Sequence, residues 1–300
     1  MRNPGPGAPS CGIQTARRVR EMLGGRKLRT VSPTAVMSTL TKAGQLLDLF
    51  TVAAPVWGVS EVAVSLGIPR STAHSLLTGL TEIGLLQARR RGRYELGWRA
   101  FELGEVHRSS SALIPAAHPV MEDFVRRLGE TVCLGVFLRG CVLFIDKVVG
   151  DDPLSVLGPR VGARYEAHGF ASGRLLLADR PSVATERQLR ARPLRGPITR
   201  QPVDIDALVR RLGDIRRTGL SFDHGETVQD VGCVATGVRG PHGEVVASLS
   251  ISAPLCRFTR RESQLVVAVR GAAAQVTERL RALERPAGWR APAVACVPSG

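Results

Sequence analysis

Residues 59 to 96, VSEVAVSLGIPRSTAHSLLTGLTEIGLLQARRRGRYEL, constrain the fold more than any other stretch of this chain. Ser60 is a candidate N-cap, Val62, Ala63 and Leu66 follow at helical spacing, and Gly67 permits a sharp turn. Pro69 suits the first turn of a second helix, where Ala73, Leu76, Leu77 and Leu80 repeat as i, i+3, i+4, i+7 and predict one buried face. Ser71, His74, Ser75 and Thr78 then point the other way, with Arg70 at the helix start. Gly84 closes this helix. Leu85 and Leu86 open a strand, Arg89, Arg90, Arg91, Gly92 and Arg93 make a basic turn, and Tyr94 to Leu96 return. Two helices across a tight turn followed by a basic hairpin describe a winged helix-turn-helix. A solvated charged turn is the plain reading of an isolated basic run. Directly behind a short, polar helix face, the arginines are better placed for phosphates or a narrow minor groove. The expected DNA-contacting residues are Arg70, Ser71, Thr72, His74, Ser75, Arg89, Arg90, Arg91 and Arg93.

The surrounding chain fits that nucleus. Val36 to Phe50 places Leu40, Ala43, Leu46, Leu47 and Phe50 on one face, a supporting first helix, and Pro55 to Val59 form a short connecting strand. A winged helix over 32–97 leaves most of the 300 residues for a second core. The formal charge of +15 points to a polyanionic partner, with nucleic acid ahead of a membrane because no basic amphipathic helix with a bulky apolar face is present. Part of the charge sits in residues 1–31, where seven Lys/Arg face Glu21 alone; this Pro- and Gly-containing stretch is expected to be a disordered basic arm, either adding phosphate attraction or without a role. Six scattered cysteines without CxxC spacing read as reduced thiols. With neither a signal core nor a run of ~20 apolar residues, a cytoplasmic protein that does not enter membranes is expected.

Beyond the wing, Trp98 to Arg108 predict a linker helix, assigned to 98–110, and Ile114 to Leu128 an amphipathic helix ending at Gly129. Thr131 to Leu138 and Cys141 to Val148 are apolar, β-branched runs across Arg139-Gly140, a hairpin, and Leu154 to Leu157 continue in strand character. Small residues open a helix within His168 to Ala178, leaving N–H groups open to an anion. A short helix and an Arg/Pro-rich loop lie between Pro181 and Pro202, and Ile205 to Gly219 form a further helix. Cys233 to Val238 and Val245 to Ser252 are strands across a Gly240 to Gly243 turn, Thr259 to Leu283 a closing helix, and 285–300 an expected disordered tail.

The combination resembles the IclR family of bacterial transcription regulators over about Val36 to Leu283. It does so through IPRSTAHSLL (Ile68 to Leu77), GRYELG (Gly92 to Gly97), AHGFASGRLLLA (Ala167 to Ala178), GLSFD (Gly219 to Asp223), VGCVA (Val231 to Ala235) and SLSISAP (Ser248 to Pro254). Six short motifs in the family's order and spacing are far more specific than any one of them. The resemblance implies an α+β architecture in which the winged helix and linker helix precede an effector-binding domain, 111–284, with a curved antiparallel sheet flanked by helices, GAF- or profilin-like. It also implies an effector pocket at Ala171, Ser172, Asp223, Cys233, Ser250 and Ser252, with Leu154, Leu157 and Val231 as apolar wall. Arg174 departs from the family's usual Lys, His224-Gly225-Glu226 from its second acidic stretch, and Ala235-Thr236-Gly237 from its usual proline.

Ser250 and Ser252 are two apart and share a strand face, so two hydroxyls can meet a ligand carboxylate. Cys233 between Val231 and Val234 reads first as a small buried hydrophobe. A cysteine- or metal-dependent hydrolase would draw on His168, Asp223, His224, Cys233 and Ser250, but no CxxC or HxxxH spacing supports it. The expectation is therefore a non-enzymatic transcription regulator, repressor favoured over activator, without cofactor or metal. Its expected partners are a double-stranded DNA operator, a small-molecule effector that is a small organic acid or aromatic metabolite, with a carboxylic acid favoured, and further copies of itself in a dimer or dimer of dimers.

Overall fold

The computed structural model describes residues 39–151 and 158–283, which fall into two compact units parting between His107 and Arg108. The expected arm at 1–31, the tail at 285–300 and the strand-like Leu154 to Leu157 lie outside the described residues.

In the first unit, α1 (Thr39–Leu47), β1 (Trp57–Gly58), α2 (Val59–Leu66), α3 (Arg70–Glu82), β2 (Leu86–Arg89) and β3 (Arg93–Leu96) build a winged helix, followed by α4 (Trp98–Ser110). The strands form an antiparallel sheet in the order β1-β3-β2. Ala73, Leu76, Leu77 and Leu80 are all buried against Leu46, Phe50, Val62, Leu86 and Tyr94, as the spacing of α3 predicts. The start of α2 differs from expectation. Gly58, not Ser60, is the N-cap, and the Glu61 carboxylate accepts from the Gly58 N–H at 2.8 Å; Ser60 is exposed in the first turn. Gly67 adopts φ 65° after α2, the left-handed turn into α3.

The second unit consists of α5 (Leu113–Leu128), β4 (Thr131–Leu138), β5 (Cys141–Val148), β6 (Arg164–Glu166), α6 (Ala171–Ala178), α7 (Ser182–Arg190), α8 (Ile205–Thr218), β7 (Leu220–His224), β8 (Val231–Arg239), β9 (Val245–Pro254) and α9 (Leu255–Leu283). Its strands form one curled antiparallel sheet, β6-β5-β4-β9-β8-β7. The short strands β6 and β7 are additions to the elements expected from residue patterns, and α9 starts one turn before Thr259.

Strand alternation divides this sheet sharply. Val132, Leu134, Val234, Leu249 and Ile251 face α5 and α9 in the main core, with Met121, Phe124, Phe258, Leu265 and Val269. The opposite face is covered by α6, whose eight residues are all buried and which packs against β4, β7, β8 and β9. Gly173 permits that seating: a Cβ there would stand 2.2 Å from the Ala167 carbonyl oxygen. At the sheet's end, buried Glu130 accepts from Arg257 at 2.6 and 2.9 Å and from Arg261 at 3.2 Å, tying β4 to the start of α9. No described helix is long and apolar enough to cross a membrane.

Candidate functional site

In the first unit, the helix that buries Ala73, Leu76, Leu77 and Leu80 presents Arg70, Ser71, His74 and Ser75 to solvent, with Thr72 half-buried. The outward face is short and polar, the geometry a major groove admits. The hairpin turns through Arg90–Gly92, where Arg91 (φ 63°) and Gly92 (φ 65°) both take left-handed conformations and Arg90 and Arg91 stand exposed at the tip. Arg89, also exposed, pairs with Glu95 across the hairpin at 2.6 Å. Arg93 is employed differently from the other wing arginines. Half-buried at the base, it donates to Glu61 at 2.9 Å and to the Val56 carbonyl at 3.1 Å, binding the wing to the start of α2.

In the second unit, the candidate effector residues gather on the α6 side of the sheet. Antiparallel register sets Asp223 opposite Cys233 and Cys233 opposite Ser252, while Ser221, Ala235, Ser250 and Cys133 form the next row. Residues directly opposite share a face, so this surface carries hydroxyls, thiols and one carboxylate. Ser250, Cys133, Ser221, Ser248 and Asp223 are all buried. Val231 lies on the same face, half-buried, one alternation before Cys233. Ala171 and Ser172 form the first turn of α6 behind an N-cap, Phe170, that supplies no side-chain acceptor. Leu154 and Leu157, the remaining expected wall residues, lie outside the described residues.

The thiols are protonated at neutral pH. Burial pushes Cys133 up to about 12, and burial pushes Cys233 up to about 11 even though hydrogen bonds from Ser252 and Ser250 act in the opposite direction. A hydrolase built on either cysteine would lack its thiolate. His168 is turned to the Arg195 carbonyl at 3.0 Å and His224 to Glu262 at 2.9 Å, and among the described residues no cluster of His, Cys, Asp and Glu would hold a metal.

Asp223 has partners within its own chain. Its Oδ1 accepts from the N–H groups of Glu226 at 2.8 Å and Thr227 at 3.4 Å, and its Oδ2 accepts from the Thr227 hydroxyl. In the sequence Arg174 stands out only as a departure from the family's usual lysine. In the structure it is the buried cation of the site, donating to the carbonyls of His168 at 3.2 Å, Gly169 at 3.4 Å and Phe222 at 2.7 Å, with Glu226 at 3.0 Å and Asp223 at 3.8 Å. Burial and then the neighbouring Arg211 lower its pKa, while Glu226 and Asp223 hold it up. Its Nε and the Ser221 hydroxyl are both buried without a hydrogen-bond partner. A cation at the fourth residue of a helix otherwise filled with apolar and small side chains was the signal available in the sequence.

Comparison with known proteins covers both units. The IclR helix-turn-helix domain matches residues 39–90, and the bacterial transcriptional regulator IclR C-terminal domain matches residues 107–278. The chain is 28% identical to the transcriptional repressor IclR of Escherichia coli over 240 residues, 78% of this chain and 87% of that one. It is 31% identical to the glycerol operon regulatory protein of Streptomyces griseus over 252 residues, 82% of this chain and 97% of that one. Among solved structures, an IclR homolog from Microbacterium hydrocarbonoxydans complexed with 4-hydroxybenzoate aligns with a TM-score of 0.68 at 29% identity, covering 82% of this chain and all of that one.

Proposed function

This chain belongs to the IclR family of bacterial transcriptional regulators, and from that premise we propose that it represses transcription from an operator whose occupancy a small carboxylic acid controls. The observation that carries the effector half is the α6-covered face of the sheet, where Ser221, Ser248, Ser250, Cys133 and Asp223 are buried together. A buried face of hydroxyls and thiols suits a ligand with hydrogen-bonding groups at defined places better than a purely apolar one. The bound acid of the Microbacterium homolog agrees with that chemistry. For the DNA half, α3 supplies Arg70, Ser71, Thr72, His74 and Ser75 toward base edges, and the wing tip supplies Arg89, Arg90 and Arg91 to phosphates. Arg93 serves this interface by fixing the wing. A palindromic or repeated site read by a dimer, or by a dimer of dimers, follows from using one such helix per copy. The acid acts by preferring one arrangement of the paired winged helices, since equal affinity for both arrangements shifts nothing.

A gel-shift titration on the DNA upstream of the protein's own gene tests the reading, repeated across salt concentrations and with 4-hydroxybenzoate and other organic acids present. Binding that weakens steeply with salt and changes in midpoint with at least one acid is expected. Binding indifferent to salt would overturn the DNA half, and indifference to every acid the effector half. Within the interface, His74→Ala is expected to alter sequence preference, at ~1–3 kcal/mol for one base contact, whereas Arg91→Ala weakens all sites alike.

A further inference from the structure

The six residues from Gly225 to Asp230 connect β7 to β8 at the rim of the polar face, and two of them are held by side chains of other elements. The Glu226 carboxylate is gripped by two guanidinium groups, Arg174 of α6 at 3.0 Å and Arg211 of α8 at 2.9 Å. The same two arginines also converge on one backbone acceptor, each donating to the Phe222 carbonyl at 2.7 Å. Arg174 is 4% exposed, whereas Glu226 remains 42% exposed. Arg174 is thus built into the core, whereas Arg211, 37% exposed, and their shared partner Glu226 stand at its rim. The neighbouring Thr227 places its hydroxyl between the Asp223 carboxylate and the Gly169 carbonyl, just ahead of the first turn of α6.

The connecting segment therefore brings a carboxylate and a hydroxyl, adjacent in sequence, to a cationic pair and an anionic acceptor. We propose that Glu226 and Thr227 are built-in occupants of the effector site, and that a hydroxylated carboxylic acid enters by displacing them. Its carboxylate goes to Arg174 and Arg211; its hydroxyl goes to Asp223 and the Gly169 carbonyl. This inference rests on the reading of the C-terminal unit as an acid-binding domain and names the chemistry of that acid.

Electrostatics favours exchange over simple entry. With the segment lifted, the buried Arg174 loses its nearest carboxylate and keeps only Asp223 at 3.8 Å and backbone carbonyls, so a state with the site empty is disfavoured. Replacing one carboxylate by another keeps the guanidinium paired throughout, and the acid's apolar body adds burial that Glu226, half in water, does not supply. The unpartnered Arg174 Nε and Ser221 hydroxyl on the same side of the sheet offer two further polar contacts that the present occupants leave unmade. Arg174 and Asp223 would then read two groups of one small molecule, which selects hydroxy acids over their deoxy counterparts.

The test uses the full chain. Calorimetric titrations compare wild type with the Glu226→Gln, Thr227→Val double variant against 4-hydroxybenzoate, lactate and 3-phenyllactate, each beside benzoate, propionate or 3-phenylpropionate. Removing the internal competitor is expected to tighten hydroxy-acid binding by roughly tenfold, because the competent fraction of the protein rises. Hydrogen exchange on unmutated protein supplies a second readout: with the acid bound, amides of residues 225–230 are expected to exchange faster and those of α6 more slowly. Equal affinity of both proteins, with unchanged exchange at 225–230, would overturn the displacement while leaving an acid-binding domain intact. Absence of binding by every acid to both proteins would overturn the acid-binding reading and this inference with it.

Discussion

The two faces of the six-stranded sheet are buried alike and differ in composition along β4, β7, β8 and β9. Toward α5 and α9, Val132, Leu134, Val234, Leu249 and Ile251 have no exposed surface. Toward α6, Cys133, Ser221, Ser248 and Ser250 are 2% exposed or less, yet they carry hydroxyls and thiols. Burial alone therefore does not separate an apolar core from the polar face proposed to bind the effector; the distinction lies in which groups the interior presents. Apolar side chains on the first face gain about 25 cal/mol for each Å² withdrawn from water. On the second, a hydroxyl such as that of Ser221, without a partner, costs about 1–3 kcal/mol. One face stabilises the domain, and the other spends part of that stability to remain polar.

Paired substitutions on the two faces should break this comparison most visibly. Ile251→Ala is expected to cost about 2–5 kcal/mol in urea unfolding, and its neighbour Ser250→Ala about 1 kcal/mol or less while diminishing the thermal shift given by organic acids. Equal losses would mean that both faces serve as core. Gly173→Ala comes next, because its Cβ would meet backbone rather than a movable side chain; about 1–3 kcal/mol of destabilisation is expected, together with a weakened acid response.

Alkali discriminates between the faces more gently, through Cys133 and Cys233 on the α6 side. Both cysteines have folded-state values raised from an ordinary 9.0, so each favours folding fully below pH 9.0. That contribution is lost as pH rises through about 11 for Cys233 and about 12 for Cys133. Urea midpoints at pH 8 and 10.5 should consequently fall less for Cys233→Ala than for wild type, and parallel falls would contradict the assignment. The smallest expected effect is that of Ser221→Ala, neutral to about 1 kcal/mol stabilising, because a buried hydroxyl without a partner disappears. A clear destabilisation would show that this hydroxyl is satisfied.

Sidedness was legible in the sequence wherever residue type and burial agree. The spacing of Ala73, Leu76, Leu77 and Leu80 predicted the buried face of α3, and the two-residue interval between Ser250 and Ser252 placed both on one strand face. It failed at β7, where Ser221 and Asp223 are buried while Phe222 is only half-buried; a strand that turns its polar residues inward has the pattern of an exposed loop. Partnership was hidden for another reason. Arg174 meets the Phe222 carbonyl 48 residues away, and Arg93 meets Glu61 across 32. Periodicity encodes direction from the backbone, not which distant atom waits there. The family resemblance singled out Asp223 and Cys233, which the structure sets opposite each other on the α6 side, but left the grip of Arg174 and Arg211 on Glu226 unread.

The anchoring of Arg93 has a thermodynamic consequence for DNA recognition. A hairpin already pinned to Glu61 and the Val56 carbonyl has surrendered its conformational freedom before any duplex arrives. In the proposed complex, docking then need not order it, so contacts at the tip would be converted more fully into affinity. Loss of Arg91 should reduce the number of counterions released and flatten the slope of log affinity against log salt. Loss of Arg93 should leave that slope unchanged and lower affinity equally at every salt concentration, the signature of entropy restored to the free protein.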